Sequence, residues 1–198
     1  MDLNIGKIMD TLKELGIDEK TVVIFMSDNG LYLGEHGLRD KRSAYEESIR
    51  IPLIIRYPQL ILPGSVNNKM ILNLDIAPTI LELTGAHSPD DIQGRSMMPL
   101  FIEKDPLWRN SFFYEYFEEP NYGPRISIFA VRKEDTKLIK YLGHEDWTEL
   151  FDLKTDPYET RNLYEESNHK ELLLNMEDEF KSIAHETHFD YMLQYLFN

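Results

Sequence analysis

The sequence contains no cysteine, which removes disulfides, zinc–thiolate sites and a cysteine nucleophile together. No apolar run approaches the roughly 20 residues needed to span a bilayer. The first residues show no basic-then-apolar leader, and no membrane partner is expected. Positive charge is scarce: 21 Lys and Arg stand against 35 Asp and Glu, a net charge of −14. So acidic a chain repels phosphate backbones, which argues against nucleic acid as a partner. Core material is not scarce. Hydrophobic residues make up 42% and aromatics 12% of the 198 residues. That supports one large packed domain or one and a half ordinary ones.

The most informative stretch runs from Thr21 to Gly30. Thr21 to Phe25 is a β-branched and aromatic run, suited to a strand buried on both faces. It ends in Ser27-Asp28-Asn29-Gly30, with Gly30 expected to take positive φ. In open α/β sheets ligands bind beyond the carboxyl ends of strands, where Asp28 and Asn29 would present neighbouring oxygen donors. The segment Gly34 to Arg42 then brings His36 and the cations Arg39, Lys41 and Arg42. A cationic pocket on an acidic body suits a small anionic group. Oxygen donors alone point to Ca²⁺ or, less well, Mg²⁺. The plainer alternatives are that Asp-Asn-Gly is an ordinary turn and that Arg39 and Arg42 form surface ion pairs.

Taken in order, Ile5, Ile8, Met9, Leu12 and Leu15 have helical spacing. Ser43 to Ser48 permits one helical turn, and Ile51 to Pro58 reads as a second buried strand bounded by prolines. Val66 to Leu72 reads as a short strand or a bridge. Asp75 is placed to cap a helix through Ile76, Ile80 and Leu83 that stops at Gly85. Near Asp105-Pro106 the character changes. Four closely spaced strand-like runs follow, Ser111 to Phe117, Ile126 to Arg132, Lys137 to Leu142 and Trp147 to Leu153, which favours antiparallel pairing. Asn168 to about His185 reads as an amphipathic helix covering that sheet, and the aromatic tail is expected to dock. Tyr114, Tyr116 and Trp147 fit either a core or the wall of a sugar-binding cleft.

Three motifs carry a family resemblance. Thr21 to Pro58 (TVVIFMSDNGLYLGEHGLRDKRSAYEESIRIPLIIRYP) resembles the second half of type I, formylglycine-dependent sulfatases of the alkaline phosphatase superfamily. Leu74 to Thr79 resembles their "DxxPTxL" helix. Glu149 to Glu159 (ELFDLKTDPYE), with Asn162-Leu163, resembles their C-terminal "ELYDLxxDPxExxNL" signature. The Tyr114–Tyr116 region is similar to the branch acting on sulfated sugars, such as N-acetylglucosamine-6-sulfatases.

The resemblance implies an α/β fold: residues 1–105 as the C-terminal portion of the sulfatase catalytic domain, and 106–198 as a four-stranded antiparallel sheet with a C-terminal helix. It implies that Asp28 and Asn29 ligate Ca²⁺ and that Lys41 contacts the sulfate. His36 is assigned to substrate contact or catalysis, with a structural role as the alternative. Arg42 and Glu46 are expected to be scaffold residues. The family's Cys-x-Pro-x-Arg nucleophile motif has no counterpart here, nor does a Ser-x-Pro-x-Arg version. The chain is therefore expected to be a C-terminal half, inert toward sulfated sugars and aryl sulfates alone, and to pair with an N-terminal half or with a second copy. The other readings are a non-catalytic interaction module or pseudoenzyme, and a hydrolase of phosphate or phosphonate esters.

Overall fold

The computed structural model describes residues 1–121 and 126–197. The chain divides into two compact units, residues 1–28 with 51–107 and residues 29–50 with 108–198.

The first unit opens with helix α1 (Asp2–Glu14), which has the expected amphipathic spacing but no buried residue. Strands β1 (Val23–Met26) and β4 (Leu53–Arg56) form an antiparallel pair running from Val23↔Arg56 to Met26↔Leu53. The sequence predicts β1 to be buried on both faces and β4 to be a second buried strand. Instead every β1 residue is half-buried and Ile54 is 63% exposed, because a two-stranded ribbon has too little sheet on either face to bury its side chains. The Arg56 guanidinium donates to the Asp18 carbonyl (2.7 Å) and carboxylate (3.3 Å), tying β4 to the turn after α1.

Helix α3 (Ile76–Thr84) starts and stops where the sequence suggests, with Gly85 left-handed at its end (φ 69°). The buried Asp75 carboxylate does not cap α3. It accepts the Leu72 N–H and, from the other side, the Arg95 N–H, each at 2.8 Å. A buried carboxylate needs such donors, and here they come from residues before and beyond the helix. Thr79 extends the link, its hydroxyl accepting the N–H of buried Met97 (2.8 Å) at the start of α4 (Met98–Ile102). The expected strand over Val66 to Leu72 is absent; Asn67 instead turns the chain by accepting the Lys69 N–H.

The second unit is built on a sheet of β5 (Ser111–Tyr116), β6 (Ile128–Lys133), β7 (Thr136–Tyr141) and β8 (His144–Asp152), antiparallel and in sequence order. Side chains alternate between its faces. Phe129, Val131, Leu138 and Leu150 meet Met176, Phe180, Ile183 and Ala184 of α5 (Lys170–Glu186). The tail is docked on this side by Phe189 and by Leu196 of α6 (Asp190–Leu196). Ile128, Ala130, Ile139 and Phe151 face the other way and are covered by Ala44, Ile126 and Leu153. Tyr114 and Tyr116 pack against this second cluster, whereas Trp147 is half-exposed and stacked on His144.

The C-terminal signature has a structural purpose. Asn162 acts as a substitute strand for β8, accepting the Leu150 N–H and donating to the Thr148 carbonyl, both at 3.0 Å. Asp152 and Asp156 accept the N–H groups of the turns that follow them, as short acidic side chains do at tight turns. Among the described residues no helix is long and apolar enough to cross a membrane.

Candidate functional site

The segment from Asn29 to Arg50 carries most of the residues singled out from sequence, and all of it belongs to the second unit. It holds a short hairpin, β2 (Tyr32–Leu33) against β3 (Arg39–Asp40), and one turn of helix, α2 (Glu46–Ile49). Gly34 and Gly37 have positive φ, as do His36 (φ 53°) and Asp40 (φ 82°). Non-glycine residues in that region are uncommon, so the glycine-rich run turns back on itself and keeps the hairpin short.

Gly30 is needed for a different reason from the one its sequence context suggests. It is not among the residues with positive φ. Its N–H donates to the Ser48 carbonyl (2.8 Å), and a Cβ there would fall 1.9 Å from the Glu47 carbonyl oxygen. Close approach of two backbones requires the glycine. This contact holds Asn29 beside α2.

The Lys41 ammonium donates to Asn29 Oδ1 at 2.7 Å, and Asn29 Nδ2 donates to the Gly30 carbonyl at 2.7 Å. Twelve residues apart in sequence, Asn29 and Lys41 meet side chain to side chain. Asp28 ends the first unit, and its carboxylate accepts a long hydrogen bond from the Ser27 hydroxyl (3.4 Å).

His36 lies against Tyr45, rings 4.1 Å apart and nearly parallel, with Nε2 3.2 Å from Glu47 Oε2. Tyr45 in turn donates to Glu149 Oε1 and Tyr141 to Glu149 Oε2, each at 2.7 Å. Burial, followed by the Glu149 charge, raises both phenols above their ordinary value. Both therefore stay protonated as donors. Tyr32, raised chiefly by burial, shares a hydrogen bond with Ser43. Arg42 pairs with Asp40 and with Glu119 (3.2 Å), and Glu46 with Arg132 and Lys137. Both are the scaffold residues the sequence suggests.

Glu47, Tyr45 and Glu149 lie within the quoted motifs, but nothing in the motifs signals which residues they pair with. Glu47 lies eleven residues from His36 and Glu149 lies 104 from Tyr45, and no periodicity joins such positions. For a hard cation the donors are right in kind, a carboxylate at Asp28 and a carboxamide oxygen at Asn29. Among the described residues no cluster of three or more His, Cys, Asp or Glu could hold a metal ion, so these two would form only part of a coordination sphere.

Comparison with known proteins agrees with the motifs. Residues 34–186 match the family model described as N-sulphoglucosamine sulphohydrolase, C-terminal. An N-acetylglucosamine-6-O-sulfatase of Bacteroides thetaiotaomicron is 38% identical over 185 residues, covering 90% of this chain and 33% of the relative. A solved protein in complex with its substrate D-glucosamine-2-N,6-O-disulfate superimposes with a TM-score of 0.88 at 34% identity, over 94% of this chain and 38% of that one. The phosphonate monoester hydrolase of Silicibacter pomeroyi gives 0.83 at 26% identity, over 94% of this chain and 39% of its own. The chain thus spans about a third of the length of the curated relatives it matches. A family-model match over residues 34–186, with the fold to accompany it, shows that this chain belongs to the sulfatases of the alkaline phosphatase superfamily, in their C-terminal region.

Proposed function

We propose that the chain supplies the C-terminal half of the active site of a sulfuric ester hydrolase acting on sulfated sugars. The observation that supports this most directly is the 2.7 Å bond between Lys41 Nζ and Asn29 Oδ1. It sets an ammonium beside an oxygen donor, the pairing needed to bind a sulfuryl group next to a metal ion. In this reading Lys41 holds a sulfuryl oxygen and stabilises the negative charge that builds on it in the transition state. Asp28 and Asn29 hold part of a Ca²⁺ coordination sphere, and the bound ion supplies further charge neutralisation. Mg²⁺ is a poorer fit, since it takes few protein ligands and strict octahedral geometry. His36, oriented by Glu47 and Tyr45, contacts the sugar or the leaving oxygen.

With no cysteine in the sequence, the family's formylglycine nucleophile would come from outside these residues, and the chain is inert alone. Two measurements test this. Titration with Ca²⁺ and N-acetylglucosamine 6-sulfate should shift the NMR signals of the Asn29 side-chain amide and Lys41, and Lys41→Ala should abolish the sugar-dependent shift. Silent signals would remove the proposed roles. Incubation with Ca²⁺ and a chromogenic aryl sulfate should give no turnover, and hydrolysis would reveal a nucleophile within the chain.

The likeness to a phosphonate monoester hydrolase favours a second reading, in which the same Lys41 and Asp28–Asn29 set binds a phosphonate or phosphate ester. Competition between sulfate and phosphonate monoesters at the Lys41 signal separates the two. Exposed Leu3, Ile8 and Ile54 in the first unit support pairing with an N-terminal half or a second copy. Sedimentation of the isolated chain as a strict monomer would leave only the former.

A further inference from the structure

Lys137 lies on β7, far in sequence from Asn29 and Lys41, and it is completely buried. Its ammonium makes three contacts: 2.8 Å to the Ala44 carbonyl, 2.8 Å to Glu46 Oε1 and 2.7 Å to Glu159 Oε1. Glu46 is held a second time by Arg132 of β6, at 3.3 Å. Glu159, fully buried and in a left-handed backbone conformation (φ 51°), turns its other oxygen to accept the Glu46 N–H at 2.7 Å. One lysine of the sheet thus gathers the start of α2 and the last glutamate of the C-terminal signature into one buried cluster.

The cluster connects to the Lys41–Asn29 pair through the backbone of α2 and the hydrogen bonds made by Ser48. Glu46 opens α2, and Ser48, two residues on, is its buried residue. The Ser48 hydroxyl donates to the Lys41 carbonyl, and the Ser48 carbonyl accepts the Gly30 N–H at 2.8 Å. Lys41 and Gly30 flank the bond from Lys41 Nζ to Asn29 Oδ1. A buried ion pair is a poor source of net stability compared with apolar residues of the same shape. Its strength lies in directional contacts that fix geometry, and leaving one partner unpaired is costly. An apolar residue at position 137 could fill the space but could not bind the Ala44 carbonyl.

We propose that Lys137 is a positioning residue for the Lys41–Asn29 pair: by binding the Ala44 carbonyl, Glu46 and Glu159 together, it fixes α2 on the four-stranded sheet, and Ser48 transmits that placement to both sides of the pair. The cluster and its transmission stand on geometry alone; only the meaning of the pair rests on the function proposed above.

The test is Lys137→Met in the full chain, read by NMR. Amide protection of Phe129, Leu138 and Leu150 should persist, showing the sheet intact, while exchange at the Gly30 N–H accelerates at least tenfold. The Asn29 side-chain amide signal should move toward its position in Lys41→Ala, which a general loss of stability would not produce. Unchanged Gly30 exchange and Asn29 signal in the folded variant would overturn the proposal. So would acceleration of all four amides together, which would make Lys137 a residue of the fold alone. Should Lys137→Met not fold, Ser48→Ala breaks the same path and leaves the cluster whole. It should move the Asn29 signal in the same direction, and an unmoved signal overturns the proposal as well. If wild-type Asn29 and Lys41 ignore Ca²⁺ and sulfated sugar while Lys137→Met still moves Asn29, the positioning role stands and the sulfatase role falls.

Discussion

The two compact units solve the problem of burial very differently. Among the described residues Met97 is the only fully buried hydrophobic side chain of the first unit, and all the others lie in the second. In the second, one antiparallel sheet is covered on both faces, by α5 and α6 on one side and by Ala44 with its neighbours on the other. In the first, the ribbon is tied by Arg56 to Asp18 and α3 by Asp75 to Leu72 and Arg95, and α1 leaves Leu3 and Ile8 exposed. Amphipathic spacing alone therefore does not predict burial. A helix needs a broad surface to lie on, and four strands provide one where two do not.

That contrast can be broken by substitution. Phe180 is fully buried between Phe113 and Phe197, and Phe180→Ala should cost about 3–5 kcal/mol. Urea denaturation followed by circular dichroism would measure it, and a loss below about 1 kcal/mol would show the second unit's core to be less tight than described. Next comes Gly30→Ala, which puts a methyl carbon 1.9 Å from the Glu47 carbonyl. It should cost about 1–3 kcal/mol and displace the Asn29–Lys41 bond, seen as a shift of the Asn29 amide signal.

Acid sharpens the comparison further. Burial tends to raise the Glu46 carboxyl, but Lys137 and Arg132 outweigh it and hold the group below its ordinary 4.5. The unfolded chain thus takes up this proton more readily than the folded one. The stability contributed by Glu46 is whole above about pH 4.5 and fades as pH falls through the lower folded value. Glu159 behaves oppositely: burial raises it despite Lys137, so its own contribution favours the fold more as pH falls. Glu46→Gln should therefore flatten the acid limb of the second unit's stability, measured as the urea midpoint between neutral pH and about pH 3. An unchanged acid limb would remove Glu46 as its source. The smallest effect belongs to Ile8→Ala in α1. With Ile8 59% exposed, the change should stay within about 0.5 kcal/mol; a larger loss would mean that α1 is packed more tightly than its exposure indicates.

Local patterns were readable from the residues themselves. The four strands of the sheet, the helix over 170–186 and the stop at Gly85 follow from periodicity, short connections and cap chemistry, all of which act within a few residues. A side chain with a distant partner leaves no such local mark. Asp75 looked like a cap and instead binds Arg95, twenty residues on. Gly30 looked like a turn residue and instead makes room for the Glu47 carbonyl. Val66 to Leu72 had the apolar content of a strand but no neighbouring strand to pair with. Of the candidate site, Asn29, Lys41 and His36 were visible through their motif. The pairings of Glu47, Tyr45 and the Lys137 cluster were not, because ion pairs across 91 or 22 positions leave no trace in spacing.

The residues alone set the chemical kinds on offer: two adjacent oxygen donors, an ammonium, an imidazole and no thiol, with motifs specific enough to identify the family. Folding brings Lys41 to Asn29, rests His36 on Tyr45, and sets a buried lysine of the sheet against the segment carrying all four. The reason is physical. Composition and periodicity report what each residue can do with its near neighbours, whereas the hydrogen bonds that aim a side chain are made with whatever the folded chain brings alongside.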